Sequence, residues 1–183
     1  MIPRTLFSPE HELFRDAVRR FVQEHVTPHH AQWEKDGQVP RELWRKAGEL
    51  GMLCCNVPEA YGGMGGSFLH STILIEEFAR VGATGPTFAT HSDMVAPYIV
   101  DFGTEEQKKK WLPKMASGEV VTALGLSEPS GGSDLQSMRT QALRDGDDYV
   151  VNGQKVFITT GHTADLLMLA CKTDPHARGK GVS

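Results

Sequence analysis

Apolar positions along the chain follow two rhythms, and the change from one to the other is its main division. Leu13, Phe14, Ala17, Val18, Phe21 and Val22 stand at the i, i+1, i+4, i+5 spacing of one buried helix face. Ser8-Pro9-Glu10 supplies the start, with Ser8 as N-cap and Pro9 at the first helical position, and Thr27-Pro28 interrupts the pattern. The spacing predicts a second helix from near Pro40 to Gly51 with Leu43, Trp44, Ala47 and Leu50 as its stripe. A third runs from about Phe68 to Val81 and stops at Gly82. Another is expected within Thr87–Phe102. Thr104 and Gln107 form a capping box that opens a further helix, which Pro113 and Ser117-Gly118 should end.

Beyond Gly118 the period falls from about 3.6 to 2. Val120–Leu126, Arg139–Arg144, Tyr149–Asn152, Gln154–Thr160 and Asp165–Lys172 are predicted strands, with turns at Asp145–Asp148 and at Asn152-Gly153. The expected division is therefore residues 1–119, helical, and 120–183, β, an α+β chain. Within Gln154–Thr160, alternation puts Phe157 and Thr159 on one face and Val156 and Ile158 on the other.

Composition narrows the function classes. The chain has 183 residues and a formal net charge of -4, and no basic stripe stands out beyond Lys108–Lys110 and Arg139–Arg144. Nucleic acid is not an expected partner. No apolar run approaches the roughly 20 residues of a bilayer span, and the N-terminus lacks a basic-then-apolar leader pattern, so the expectation is a cytoplasmic protein with no membrane partner. Three cysteines, Cys54, Cys55 and Cys171, make no disulfide framework or zinc spacing, and they read as reduced thiols.

Candidate chemistry concentrates in V-V-T-A-L-G-L-S-E-P-S-G-G-S-D, Val120–Asp134, where a strand delivers the chain into a loop rich in Gly, Pro and Ser. Gly131 and Gly132 let amides approach an oxygen-rich ligand, and Ser127, Ser130 and Ser133 add hydroxyl donors. The loop matches neither G-x-x-x-x-G-K-[ST] nor G-x-G-x-x-G, and on local chemistry alone a solvated turn stays open beside a ligand loop. Other groupings point away from chemistry. His25, His29 and His30 have no carboxylate or cysteine to complete a metal set, so no metal is expected. His91-Ser92-Asp93 are consecutive on a helix and cannot converge on one atom. Glu76 and Glu77 point apart on theirs, which favours a surface or helix-partner role. The P-E-A-Y-G-G-M-G-G loop reads as a connector.

Four ordered motifs carry a resemblance to a known family. They are P-E-A-Y-G-G-M-G at Pro58–Gly65, F-G-T-E-E-Q-K-K-K-W-L-P at Phe102–Pro113, L-S-E-P-S-G-G-S-D at Leu126–Asp134 and N-G-Q-K-V-F-I-T-T-G at Asn152–Gly161. Together they make the chain similar, over nearly its whole length, to the acyl-CoA dehydrogenase family and most closely its long-chain branch. The resemblance implies an all-α N-terminal domain followed by the start of an antiparallel β-barrel or sandwich middle domain, the family's C-terminal helical domain being absent from this chain. It implies FAD as cofactor and the oxidation of a fatty acyl-CoA to a trans-2-enoyl-CoA, with an electron-transferring flavoprotein as acceptor and a homotetramer as the assembly.

Residue by residue, the resemblance puts Leu124, Leu126 and Ser127 beside the flavin ring and Ser133 near the cofactor's pyrophosphate and the substrate's pantetheine arm. Phe157 and Ile158 would pack near the ring, and Thr159 would donate to its N5. Met94, Val95 and Tyr98 would touch the acyl chain. Ser127 stands where many members have Thr, Ser130-Gly131 where Gly-Ala is usual, and Phe157 where some have Trp; each keeps the donor or the aromatic surface. The family's catalytic glutamate lies beyond residue 183, no residue here takes that role, and the chain alone is expected to be inactive. Two alternatives share these motifs or this shortness: a same-fold flavin monooxygenase or nitroalkane oxidase, and a non-catalytic assembly fragment whose open sheet edge promotes association.

Overall fold

Caps and one buried face per helix account for most of the first half of the chain. The structure, a computed structural model, describes residues 5–183. The chain divides into two units, Met1–Val121 and Thr122–Ser183. The first is helical: α1 Pro9–Phe21, α2 His30–Asp36, α3 Arg41–Glu49, α4 Phe68–Arg80, α5 Ala96–Phe102 and α6 Glu105–Ala116. At α1, α4 and α6 the hydroxyls of Ser8, Ser67 and Thr104 accept an early amide, while His11, His70 and Gln107 reach back to the cap's own N–H. Each start thus satisfies two donors that the helix itself cannot. Among the described residues no helix is long and apolar enough to cross a membrane.

The core of this unit joins Val18, Phe21, Val22 and Val26 to Leu43, Trp44 and Ala47 of α3, Ile73, Leu74 and Phe78 of α4, and Phe88. Trp44 and Phe78 meet Phe88 edge-on at centroid distances of 4.8 and 5.4 Å. Burying each such large side chain stabilises the fold by about 1.5–3 kcal/mol before entropy is counted. The buried stripes are narrower than the spacing predicts, because Leu13 is 72% and Leu50 55% exposed. Both sit at the margin of their stripe, where a helix turns toward water.

Prolines also behave differently from expectation. Pro113 does not end α6, which continues to Ala116 and stops where Gly118 takes φ +72. A proline this near a helix end deprives only one carbonyl of its donor. Pro97 opens α5 and is preceded by a π-helical turn, Thr90–Val95, whose wider winding fits a residue without an N–H. The glycine-rich connector has a steric cause: Gly65 and Gly66 donate to the Val57 and Cys55 carbonyls at 2.9 and 2.8 Å, and a Cβ on Gly63 would overlap the Val57 backbone.

One charged cluster ties α1 to α4. Glu77, 2% exposed, takes Arg15 Nη1 at 3.1 Å and Arg19 Nε at 3.0 Å, with Arg80 Nε at 3.4 Å, and Arg15 also reaches Glu76 at 2.7 Å. The adjacent acids therefore serve the helix pair rather than a reacting group. Burial opposes ionisation of Glu77, but the hydrogen bonds from Arg19 and Arg15 overcome it and leave the carboxyl below its ordinary value.

The second unit carries β1 Thr122–Gly125, β2 Gln141–Asp145, β3 Asp148–Asn152 and β4 Leu166–Leu169. β1 pairs in parallel with β4, Thr122 opposite Leu166, and β2 pairs antiparallel with β3 across the predicted turn, where Gly146 takes φ +63. A helical N-terminal unit followed by a unit of short β-strands is thus the architecture. Two expectations fail. Residues 154–160 form no strand, and Asn152-Gly153 makes no hairpin: neither residue has the positive φ that such a turn needs. Gly153 instead passes so close to Thr140 that a Cβ would fall 2.6 Å from its Cα.

Glu77→Gln should lower the stability of the helical unit by about 3 kcal/mol at neutral pH, since it leaves three guanidinium groups without their shared charge. The wild-type contribution is complete above the ordinary carboxylate range and is lost as pH falls through the lowered folded value; the variant should lack that acid limb. Urea titrations followed by tryptophan fluorescence check both, because Trp33, Trp44 and Trp111 all lie in this unit.

Candidate functional site

The loop after β1 is built on one carboxylate. Glu128 and Gly131 bond each other's backbones in both directions, at 3.0 and 3.1 Å, so Glu128-Pro129-Ser130-Gly131 closes a tight turn. The Glu128 side chain, buried, accepts the Arg139 amide at 2.6 Å, the Thr140 amide at 2.9 Å and Lys155 Nζ at 2.9 Å. Burial alone would raise its pKa, and the hydrogen bonds from Thr140, Arg139 and Lys155 hold it far below the usual carboxylate range. Residues 129–138 therefore hang as a loop whose two ends meet at one charge. The sequence reading gave no role to Glu128 or Lys155; a lone acid inside a Gly/Ser loop and a lone lysine in an apolar run were the available signals.

Residues 156–160 lie along β1 without joining it as a strand. The Val156 amide donates to the Ser127 carbonyl at 3.0 Å, and the Thr160 hydroxyl donates to the Thr122 carbonyl at 2.9 Å, so the segment runs opposite in sense to β1 and is pinned at both ends. Between the pins Phe157 takes φ +56 and is 96% exposed. A β-carbon in that region is strained, and nothing in the unit packs on the ring in return. Thr159 is exposed as well, while Val156 and Ile158 are half-buried, so the predicted alternation of faces survives the loss of the strand. From the Val156 pin to Thr159 the chain covers at most about 10 Å. Ser127 and Thr159 thus stand a short span apart beside one strand, β1.

Gly131 and Gly132 differ from the glycines of the folded interior. A Cβ on Gly131 would meet nothing within 4 Å, one on Gly132 only the Ser127 Oγ at 4.0 Å, and neither has positive φ. Neither sterics within the unit nor backbone angle demands glycine there. Both are exposed, as are Ser130 and Ser133 beside them. Leu124 and Leu126 are half-buried along the same run. The arrangement offers open backbone, two hydroxyls and an outward aromatic ring, a surface suited to a flat, oxygen-bearing ligand.

In the helical unit the predicted substrate residues do not act together. Met94 and Tyr98, four apart, share an exposed face, whereas Val95 is fully buried and faces the core. The H-S-D run diverges as helix geometry requires: His91 Nε2 donates to the Met115 carbonyl at 3.1 Å, Ser92 Oγ accepts the Cys54 amide at 2.9 Å, and Asp93 accepts the Ser71 hydroxyl at 2.6 Å. Burial pushes His91 down to about 4 and Cys54 and Cys55 up to about 12, so these groups stay neutral. The other histidines scatter too, His25 onto Phe21, His29 onto Trp33, and His30 to the Gly85 amide at 3.1 Å. Among the described residues no group of three or more His, Cys, Asp or Glu could hold a metal ion.

If Phe157 is strained for a ligand's sake, relieving the strain should stabilise the free protein. Phe157→Asn, which tolerates this backbone region, should gain about 1 kcal/mol in the β unit. Hydrogen exchange of the amides in residues 122–183 measures it.

Comparison with known proteins agrees with both halves. The acyl-CoA dehydrogenase N-terminal domain family matches residues 8–119, and the acyl-CoA dehydrogenase middle domain family matches residues 123–183. Long-chain specific acyl-CoA dehydrogenase of Sus scrofa, named as mitochondrial, is 49% identical over 175 residues, which are 96% of this chain and 41% of that protein. An acyl-CoA dehydrogenase from Geobacillus kaustophilus superposes with a TM-score of 0.94 at 48% identity, covering 99% of this chain and 48% of that one. A glutaryl-CoA dehydrogenase from Mycobacterium smegmatis, solved in complex with FADH2, has a TM-score of 0.86 at 32% identity, covering 92% of this chain and 44% of that one. The chain thus spans under half the length of the relatives it matches. Matched through its helices and its strands alike, it belongs to the acyl-CoA dehydrogenase family.

Proposed function

We propose that residues 122–183 form part of a flavin site and that the protein oxidises a fatty acyl-CoA to the trans-2-enoyl-CoA, with FAD as cofactor. The observation that carries this is the pair Gly131 and Gly132, small and open where no neighbour requires it, next to a strained and outward Phe157. A relative at 32% identity was solved with FADH2, the reduced form of the same cofactor.

In this reading Ser127 donates its hydroxyl to the pyrimidine edge of the ring and Thr159 donates toward N5. The span of at most about 10 Å from the Val156 pin at Ser127 to Thr159 suits a tricyclic ring laid beside β1. Leu124, Leu126 and Ile158, half-buried, give the ring an apolar floor, and Phe157 covers it. Ser133 meets the pyrophosphate and the pantetheine arm, and Met94 and Tyr98 meet the acyl chain. The flavin supplies the hydride acceptor for the β-carbon. Donors placed around its ring favour the reduced form by holding the charge that develops there. Glu76, Glu77 and Glu128 do not serve as base in this reading, since each holds a cation or an amide in place. The proposed acceptor is an electron-transferring flavoprotein and the proposed assembly a homotetramer. A cytoplasmic location is likewise a proposal, beside a pig relative named as mitochondrial.

Anaerobic addition of palmitoyl-CoA should bleach the oxidised-flavin absorbance of the intact flavin-loaded protein. Ser127→Ala and Thr159→Ala should each weaken flavin binding about tenfold, the worth of one buried hydrogen bond to a polar ring. A spectrum untouched by acyl-CoA but bleached by a nitroalkane would move the protein to the oxidase reading.

A further inference from the structure

The Lys155–Glu128 pair is buried on both sides, with side-chain exposures of 8% and 4%. Burying two opposite charges gains little over apolar packing of the same volume, so stability alone is a weak reason for an ion pair here. Its geometry gives a better one. Lys155 Nζ bridges the Leu126 carbonyl at 3.0 Å and Glu128 Oε1 at 2.9 Å, and the next residue, Val156, donates its amide to the Ser127 carbonyl at 3.0 Å. Three consecutive residues, 126 to 128, are therefore held by two consecutive residues, 155 and 156. The same carboxylate fastens the far end of the loop through the Arg139 and Thr140 amides.

We propose that Glu128 and Lys155 are positioning residues for the flavin. They register the turn that carries Ser127 against the segment that carries Phe157 and Thr159, so that two hydroxyls meet one ring at a set separation. Neither side chain reaches the exposed surface; both act through the backbone they hold. The lysine sets where residues 156–160 leave the body of the unit, and the carboxylate sets how residues 129–138 fold back. An apolar pair could fill the same space, but it would give no directional contact to the Leu126 carbonyl or to the two amides. Register along β1 would then rest on the Val156 and Thr160 bonds alone. The proposal rests on the flavin reading above.

The test uses the intact flavin-loaded protein and three variants: Lys155→Met, Glu128→Asp and Lys155→Arg. Two quantities are read on folded protein: the flavin dissociation constant, and the shape and position of the flavin's visible absorption band. Far-UV circular dichroism and hydrogen exchange of residues 122–183 are followed alongside. Lys155→Met should weaken flavin binding about tenfold or more and alter the visible band, as loss of a buried charged hydrogen bond predicts. Glu128→Asp keeps the charge and shortens its reach by one methylene, so it should stay folded and still lose affinity. Lys155→Arg, which keeps a cation at the carbonyl, should recover most of the binding. If affinity and band shape stay at wild-type values in Glu128→Asp and Lys155→Met while only exchange protection falls, the pair is a stability element and the proposal is overturned. A wild-type protein that takes up no flavin would instead overturn the reading beneath it.

Discussion

A carboxylate taken out of water must find its hydrogen bonds in the protein, and this constraint organises both halves of the chain. The penalty for an unmatched buried charge is several kcal/mol, larger than any single apolar contact can offset. In the helical unit Glu77 meets it with Arg15, Arg19 and Arg80, so α1 and α4 are aligned by charge as well as by Val18, Phe21, Ile73 and Phe78. In the β unit Glu128 meets it with two amides and Lys155. The difference between the solutions matters. Guanidinium groups on neighbouring helices fix two rigid rods, whereas backbone amides and a lysine fix the path of a loop.

Glycine also plays two parts, and space separates them. Gly63, Gly118 and Gly153 lie where a Cβ would collide with Val57, Trp44 or Thr140, so the fold itself requires them. Gly131 and Gly132 face open space with ordinary backbone angles. Interior packing explains the first group and leaves the second unexplained. A loop anchored by a buried carboxylate but surfaced with bare backbone is rigid at its base and accessible at its crown, the combination that a preorganised binding site needs.

How much of this was legible in the sequence depended on the range of the interaction. Local rules worked: Ser8, Thr104 with Gln107, Gly82 and the Asp145–Asp148 turn are decided within four residues, and each falls where the pattern puts it. The capping boxes at Ser8 and Ser67 were missed as boxes because a histidine, rather than Glu or Gln, fills the third position. Non-local competition defeated the rest. Asn152-Gly153 is a strong hairpin signal, yet β3 pairs with β2, and Gly153 is pressed against Thr140, thirteen residues earlier in the chain. Residues 154–160 alternate like a strand, but they are held to β1 by one amide and one hydroxyl instead of a ladder. Phe157 and Thr159 are both exposed, as alternation would have them, but no sheet makes them so. The Glu128–Lys155 bond spans 27 residues, and no short-range pattern records it.

Three described residues other than glycine take left-handed backbone, Cys54, Phe157 and Thr160, and the contrast between the first two sharpens the functional argument. Cys54, at φ +52, is buried, and its amide is held by Ser92 Oγ at 2.9 Å, so its strain is offset inside the core that needs the turn. Phe157, at φ +56, is exposed, and its ring has no interior to fill. Strain that packing does not offset is selected against unless it serves something outside the unit, because most substitutions there would remove it at no cost to the fold. A large apolar ring held outward in that conformation is therefore better explained by what it covers than by what it supports. It sits between two pins, the Val156 amide on the Ser127 carbonyl and the Thr160 hydroxyl on the Thr122 carbonyl, so the outward ring lies beside β1 and the start of the loop that follows it.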